Sequence, residues 1–374
     1  MTTRRSFLAG AAGAAATVAF ASPRSLASRL VTLDQPKKLR VLFLGGTGFL
    51  GPHMVRYAVE RGHEVTLFNR GRSGPDMFPD LTNLVGDRYG DISALNEGEW
   101  DVVIDTFTYV PSTVRRTVDL LANRVGLYVV VSTISVYGNR AEIDMDEDAE
   151  LQPVPQDVID RVTTHREVGA YYGGFKALCE QTADEGMGGR ALHVRPGLIV
   201  GPRDPTPRFT YWPVRVRDGG EVLAPGAPGH YTQVIDVRDL AEFVVEASEK
   251  GLRGPYNAVS EPRRFTMGSM LEACKMVSES DAEFVWADAD FLASQGIQAW
   301  GHMPAWVPPT MEGYEGFGQT SVKRAIDAGL RIRPIGETAA ATLEWYDGLE
   351  RQMAFALGRD QERAAIEAWK AQSG

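Results

Sequence analysis

The stretch "VLFLGGTGFLG" constrains this chain more than any other. "LRVLFLGG" (39–46) is an apolar run too short for a helix and closed by glycines, so it reads as a buried strand. "FLGPHMVRYAVERG" (49–62) then places Leu50, Met54, Val55 and Ala58 on one helical face, and Gly62 stops the helix. Between strand and helix, Gly45, Gly48 and Gly51 are spaced GxxGxxG, with Phe49 and Leu50 on the same turn. The first glycine permits the sharp turn, the second lets a pyrophosphate approach the backbone, and the third lets the helix pack closely on the sheet. The helix N-terminus offers unpaired N–H groups to phosphates. A dinucleotide site is the expectation.

The alternation continues. "EVTLFN" (64–69), "LTNLVGD" (81–87), "WDVVIDTF" (100–107), "GLYVVVST" (126–133) and "RALHVRPG" (190–197) read as strands, with "VRRTVDLLANR" (114–124) as an intervening helix. This pattern predicts an α/β fold with a Rossmann-type doubly wound parallel sheet over 39–197. Residues 198–374 are richer in Pro, Gly and aromatics. They are expected to form a smaller mixed α/β substrate-binding region, partly returning to the Rossmann domain. Helices are expected near 266–279, 321–328 and 338–356. The segment "GIQAWGHMPAWVPPTMEGYEGFG" (296–318) reads equally as a lid over a pocket or an aromatic cover on the core.

The second strand ends in "LFNRGR". An NAD site usually has an acid here for the ribose 2′-OH. This chain has Asn69, Arg70 and Arg72, which suit a 2′-phosphate, so NADP(H) is favoured and NAD is the alternative. Asp87 in "VGDR" is placed to reach the adenine edge.

The chain starts with "TRRSFLAG" followed by a long uncharged Ala- and Gly-rich run. Basic residues, weak hydrophobicity and Ala-x-Ala sites ending at Ala21 and Ala27 make a signal peptide over 1–27. Arg-Arg-x-Phe-Leu resembles the twin-arginine export signal, which implies passage through the twin-arginine translocase to a periplasmic or extracellular location. Residues 28–38 read as a linker. The mild apolarity argues against stable membrane insertion.

Acids outnumber Lys and Arg 49 to 39, and three of those bases lie in the signal segment. Such a surface repels phosphate backbones, so nucleic acid is not the expected partner. Cys179 and Cys274 are too few for a disulfide framework and lie on helix-like segments as small hydrophobes. No HExxH, histidine pair or carboxylate cluster suggests a metal.

In "YYGGFK" (171–176), Tyr172 and Lys176 are spaced i, i+4 and share a helix face. An ammonium beside a phenol favours the phenolate, which would fit Tyr172 for proton transfer near neutral pH.

"GGTGFLG", "VVVSTISVYG", "YYGGFK", "RPGLIVGP", "QVIDVRDLA" and "GPYNAVS" stand in the order expected of the extended short-chain dehydrogenases/reductases. Over residues 39–350 the chain resembles the NAD-dependent epimerase/dehydratase family within them. The resemblance implies Tyr172 as general acid/base, with Lys176 holding the nicotinamide ribose and lowering the Tyr172 pKa. Thr133 would be the third catalytic residue, with Ser132 beside it as the other choice. Phe107 and Tyr109 would share that face. Gly197 and Leu198 would contact the cofactor, and Arg203, Asp204, Arg208 and Tyr211 the substrate. Two features depart from the family. An acidic insert, "EIDMDEDAELQPVPQD", separates Thr133 from Tyr172 and reads as an extra wall or a solvated loop. "RPG" replaces the Asn through which nucleotide-sugar epimerases contact substrate. The resemblance thus implies a small, sugar-like hydroxy or keto substrate, and it is compatible with a homodimer. A ketone or enone reductase shares every motif. A non-catalytic or RNA-associated relative is the third reading.

Overall fold

The computed structural model describes residues 37–373. The signal peptide and most of the linker expected at the N-terminus lie outside the described residues.

The chain enters at β1 (Arg40–Leu44) and turns into α1 (Gly51–Glu60), β2 (Glu64–Asn69) and β3 (Thr82–Val85). It then crosses back to β4 (Trp100–Asp105), α2 (Pro111–Leu121) and β5 (Val125–Val131). After α3 (Gln156–Arg161) and α4 (Tyr172–Met187) comes β6 (Ala191–Pro196). A short β7 (Leu198–Val200), α5 (Pro207–Arg217), β8 (Glu221–Pro225), β9 (Tyr231–Thr232) and β10 (Val234–Asp236) follow. Next, α6 (Val237–Glu249) and β11 (Gly254–Ala258) return to the sheet. The chain closes with β12 (Phe265–Thr266), α7 (Met267–Ser278), β13 (Glu283–Ala287), α8 (Ala289–Ser294), α9 (Lys323–Asp327), α10 (Ile335–Asp347) and α11 (Arg359–Ser373).

The main sheet has seven strands in the order β11-β6-β5-β4-β1-β2-β3, and every pairing is parallel. The first crossovers run one way from β1, the later ones the other way from β4. A crevice therefore opens at the carboxyl ends of these two strands, where ligands bind in doubly wound folds. Both sheet faces are covered. On β1, Val41 and Phe43 face the layer of α1 and α6, while Leu42 and Leu44 face α2 and α4. Side chains alternate across a strand, so a strand buried on both faces must be apolar throughout.

Residues 198–373 build a second core around Phe209, Trp212, Met270 and Trp306, within the same compact body as the sheet. It carries three two-stranded pairs: β7 with β10 and β8 with β13, both parallel, and β9 with β12, antiparallel. The stretch at 207–217, dense in Pro and aromatics, is a helix. Pro207 suits its first turn, and burial of Phe209, Trp212 and Val216 outweighs the internal Pro213.

The 296–318 segment is a cover rather than a lid. Trp306 is 1% exposed and donates its Nε1–H to His230 Nδ1 at 3.1 Å, while Thr232 Oγ1 donates to the Ala305 carbonyl. The same segment bonds the chain just before the acidic insert, with Gly316 N–H donating to the Arg140 carbonyl at 3.2 Å. Among the described residues no helix is long and apolar enough to cross a membrane.

Candidate active site

A cleft of about 400 Å³ opens at the crevice between β1 and β4. Its floor is the turn from Gly45 to Gly51. Gly45 (φ +117°) and Gly46 (φ +97°) adopt backbone that L-residues avoid. A Cβ on Gly45 would stand 2.2 Å from Thr106 Oγ1, because the end of β4 crosses the turn there. A Cβ on Gly51 would stand 2.5 Å from the Gly46 carbonyl carbon, so this glycine lets helix and turn close on each other. Gly48 is different: its φ is ordinary and a Cβ there would meet no protein atom within 4 Å. It lines the cleft, so what a side chain would displace lies in the cleft itself.

The mouth of α1 has no side-chain cap and no acid in its first turn; Pro52 has no N–H and His53 N–H bonds the Leu50 carbonyl, which leaves Gly51 N–H for a ligand. Phe49, Leu50, Asn69, Arg70, Arg72 and Asp87 line the same cleft. Asn69 Oδ1 accepts from Gly71 N–H at 2.8 Å, while its Nδ2 is buried without a partner. Arg70 and Arg72 are exposed at the rim. Asp87 Oδ1 is engaged by Tyr89 N–H at 3.0 Å. The side-chain-free floor, the uncapped helix mouth and the orphaned amide fit a dinucleotide. Gly197 lies outside this wall. A Cβ on it would stand 2.5 Å from Val259 Cγ2, so it serves packing, and Ile199 lines the cleft instead. Leu198 belongs to the second core.

Tyr172 opens α4 and Lys176 follows one turn later, both on the cleft wall. Lys176 is 3% exposed. Its Nζ donates to Thr108 Oγ1 at 2.6 Å and to the Val131 carbonyl at 2.5 Å, and sits 5.2 Å from the Tyr109 ring centre. Burial pulls its pKa down to about 8. Burial, with Tyr109 adding to it, pushes Tyr172 up to about 12, and only the Thr133 side chain and Arg208 pull it back. The expected depression of Tyr172 by Lys176 is absent from this arrangement. Two of the three ammonium donors go to Thr108 and Val131, and burial makes the group lose its own charge more readily.

Thr133 is buried and its Oγ1 accepts from Ser135 N–H at 3.1 Å, capping a short 3-10 turn (134–136). Ser132 Oγ is buried without a partner and faces the cleft. The two neighbours thus divide the work. Thr133 bears on Tyr172, and Ser132 is left for a ligand.

Of the residues named for substrate, Tyr109 lines the cleft and Arg208 lies near enough to act on Tyr172 electrostatically. Tyr211 does neither. Its ring packs on Trp212 and Phe355 in the second core, and its hydroxyl is buried there without a hydrogen-bond partner. Arg203 has φ +73°, and its Nε is buried without a partner. Asp204 is fully buried, and Thr206 binds its Oδ1.

The structure adds residues that the sequence reading missed. Buried Arg88 lines the cleft and holds Asp105 through two bonds of 2.7 and 2.8 Å. Asp105 also accepts from the Tyr128 hydroxyl and from Phe107 N–H. The signal was present as an acid closing the apolar strand in "VVIDTF". The acidic insert is mostly exposed and lines no part of the cleft, but it is pinned at two buried points. Met145 is buried in a small apolar cluster with Tyr137, and Glu147 accepts from Asn257 N–H at 2.8 Å. Downstream, His165 joins Tyr89, Phe107, Tyr109 and Tyr172 in one aromatic cluster. Among the described residues no group of His, Cys, Asp and Glu could hold a metal ion.

The chain is 25% identical over 253 residues to a chloroplast stem-loop binding protein of 41 kDa from Arabidopsis thaliana, a match covering 63% of this chain and 62% of that relative. It thus spans less than two thirds of that relative's length. A UDP-glucuronic acid 4-epimerase from Bacillus cereus, solved in complex with NAD, superposes with a TM-score of 0.58 at 14% identity, covering 84% of this chain and 98% of that one. The enzyme RMD of Pseudomonas aeruginosa, solved with NADPH, gives 0.55 at 17% identity over 83% of this chain and all of that one. These likenesses carry the fold, and between them they hold both nucleotides. The model of the NAD dependent epimerase/dehydratase family matches residues 41–259, more than half of the chain. With a glycine-floored cleft at the sheet crevice and a Tyr–Lys pair on its wall, this chain belongs to that family.

Proposed function

We propose that this protein is an NAD(P)-dependent epimerase/dehydratase-type oxidoreductase acting on a sugar-like hydroxy or keto compound, with Tyr172 as its acid/base. The observation that carries the reading is the convergence of Tyr172, Lys176 and the unpartnered Ser132 hydroxyl at one end of the glycine-floored cleft. A bound nicotinamide supplies hydride acceptance and return.

The chain's own residues do the rest. The turn from Gly45 to Gly51 and the mouth of α1 hold the pyrophosphate. Arg70 and Arg72, with no acid between them, favour NADP(H) over NAD. Lys176 has one N–H donor beyond its bonds to Thr108 and Val131, and this donor would hold the ribose. Its positive charge would favour the phenolate of Tyr172, whose phenol is otherwise held near 12 by burial. Tyr172 then takes the proton of the substrate hydroxyl and gives it back on reversal. Ser132 and Thr133 hold the oxygen on which that proton sits. Thr donates and accepts as Ser does, so a Thr in this position is competent.

The N-terminal "RRSFL" supports export by the twin-arginine translocase to the periplasm or beyond. Outside the cytoplasm no pool recycles free NADPH. A cycle that returns its hydride to the same substrate therefore suits the location better than net reduction. The acidic charge, −10 overall, speaks against a nucleic-acid partner.

The test is incubation of sugars and glycosides with purified protein in D₂O and no nucleotide added. Epimerised or dehydrated product is expected, with the transferred hydride returned to carbon rather than exchanged with solvent. Turnover only with added NADPH, and stoichiometric with it, would instead make the protein a simple reductase.

A further inference from the structure

Beyond Tyr172 the cleft is walled by rings. Tyr89 and Phe107 meet edge-on with centres 5.5 Å apart, Phe107 and Tyr109 at 5.1 Å, and Tyr109 and Tyr172 at 6.1 Å. His165, from the segment after the acidic insert, lies 5.3 to 5.8 Å from Phe107, Tyr89 and Tyr109. All five are half-buried. The wall is anchored. The Tyr89 oxygen accepts His165 N–H at 2.7 Å and lies 3.2 Å from His165 Nδ1, so the phenol proton is free to point at that nitrogen.

The cations lining this side are engaged, Arg88 by Asp105 and Lys176 by Thr108 and Val131. Arg208 acts on Tyr172 with its Nε bound to Thr206 Oγ1, and in the same loop Arg203 Nε is buried without a partner. Elsewhere in the C-terminal half, Arg217, Arg263, Arg264, Arg324 and Arg333 each hold a carboxylate at 3.1 Å or less. A diphosphate needs several guanidinium or ammonium donors to replace its water. A sugar ring needs something else. The axial C–H groups on one face of a pyranose are apolar and slightly positive, which complements the negative face of an aromatic ring.

We propose that this site takes a neutral sugar ring or glycoside carrying no phosphate, stacked on the Tyr89–Phe107–Tyr109 wall that His165 backs, with its reacting hydroxyl at Tyr172. Tyr109 then determines specificity, and His165 positions it. The inference rests on the function proposed above but is tested separately, by binding.

In NADP⁺-loaded Tyr172→Phe protein, methyl and phenyl glucosides and galactosides should bind at least about ten-fold more tightly than UDP-glucose and UDP-galactose. Tyr109→Leu should weaken glycoside binding about ten-fold, the worth of one aromatic contact, and His165→Leu, which only loosens the wall, by less, with the Kd for NADP⁺ unchanged. Tyr109→Phe should keep it. Tighter binding of the nucleotide sugars, binding of neither class, or indifference to the wall substitutions would overturn the proposal. Glycosides that bind but never react in the unsubstituted protein would uphold the substrate class and sink the proposed function. Turnover of nucleotide sugars alone would do the reverse.

Discussion

From Leu44 to Gly51 the cleft is lined by backbone; from Tyr89 to Tyr172 it is lined by rings and hydroxyls. The first part is one continuous turn whose shape is dictated by missing side chains. The second is assembled from four separate stretches: the 88–89 turn, the end of β4, the 132–133 turn and the start of α4, with His165 behind them. The difference teaches where each kind of chemistry can be stored. Phosphate recognition by N–H groups is a property of local backbone, so it travels as a short motif. Recognition of a particular substrate needs side chains from distant segments, so it depends on the whole fold.

Within the ring-lined half, Asp105 ties the 88–89 turn to the end of β4, binding Arg88 and Phe107 N–H. Asp105→Ala would strand a buried guanidinium, and a loss of about 3–5 kcal/mol in chemical denaturation is expected. Loss of nucleotide affinity should accompany it. An unchanged midpoint would show that the pair is not the joint described here.

Tyr172→Phe separates the halves by function. Turnover should fall by about 10³-fold, in the range lost with a general acid/base, while the Kd for nucleotide stays within about two-fold. Activity surviving this change would remove Tyr172 from the mechanism.

The glycines sharpen the contrast within the backbone half. Gly51→Ala places a methyl against the Gly46 carbonyl and should cost about 1–3 kcal/mol of stability through overpacking. Gly48→Ala should leave stability within about 0.5 kcal/mol, because no protein atom is touched. It should nevertheless weaken nucleotide binding about ten-fold, about 1.4 kcal/mol. If both variants lose stability equally, Gly48 is a packing residue and the cradle argument fails.

The smallest effect is expected at the rim. Arg70 and Arg72 are exposed, so their charge is screened. Replacing both by Ser should narrow the preference for NADP⁺ over NAD⁺ by about five-fold, roughly 1 kcal/mol. No change in the ratio would take 2′-phosphate recognition away from them.

The strands of the sheet were legible because burial on both faces forces unbroken apolar runs such as "VLFL" and "YVVV". β11 was harder to see, since it returns to the sheet from more than fifty residues after β6. Helix α5 was hidden because its Pro and aromatics signal a loop locally, and only tertiary burial of Phe209 and Trp212 overrides that signal. In the site, the glycine turn and the Tyr172–Lys176 pair could be read from spacing. The Arg88–Asp105 pair and the place of His165 could not, because they depend on contacts across 17 and 56 or more residues respectively. Tyr211 shows the converse limit. It lies in sequence beside Arg208, yet the helix turns it into the second core.

The central claim is that the glycine-floored cleft keeps a dinucleotide within reach of Tyr172. The most direct measurement is to denature the purified protein and identify and count the nucleotide released. One NADP(H) per chain is the expected result. No released nucleotide, together with no binding when NADP⁺ or NAD⁺ is titrated in, would contradict the account.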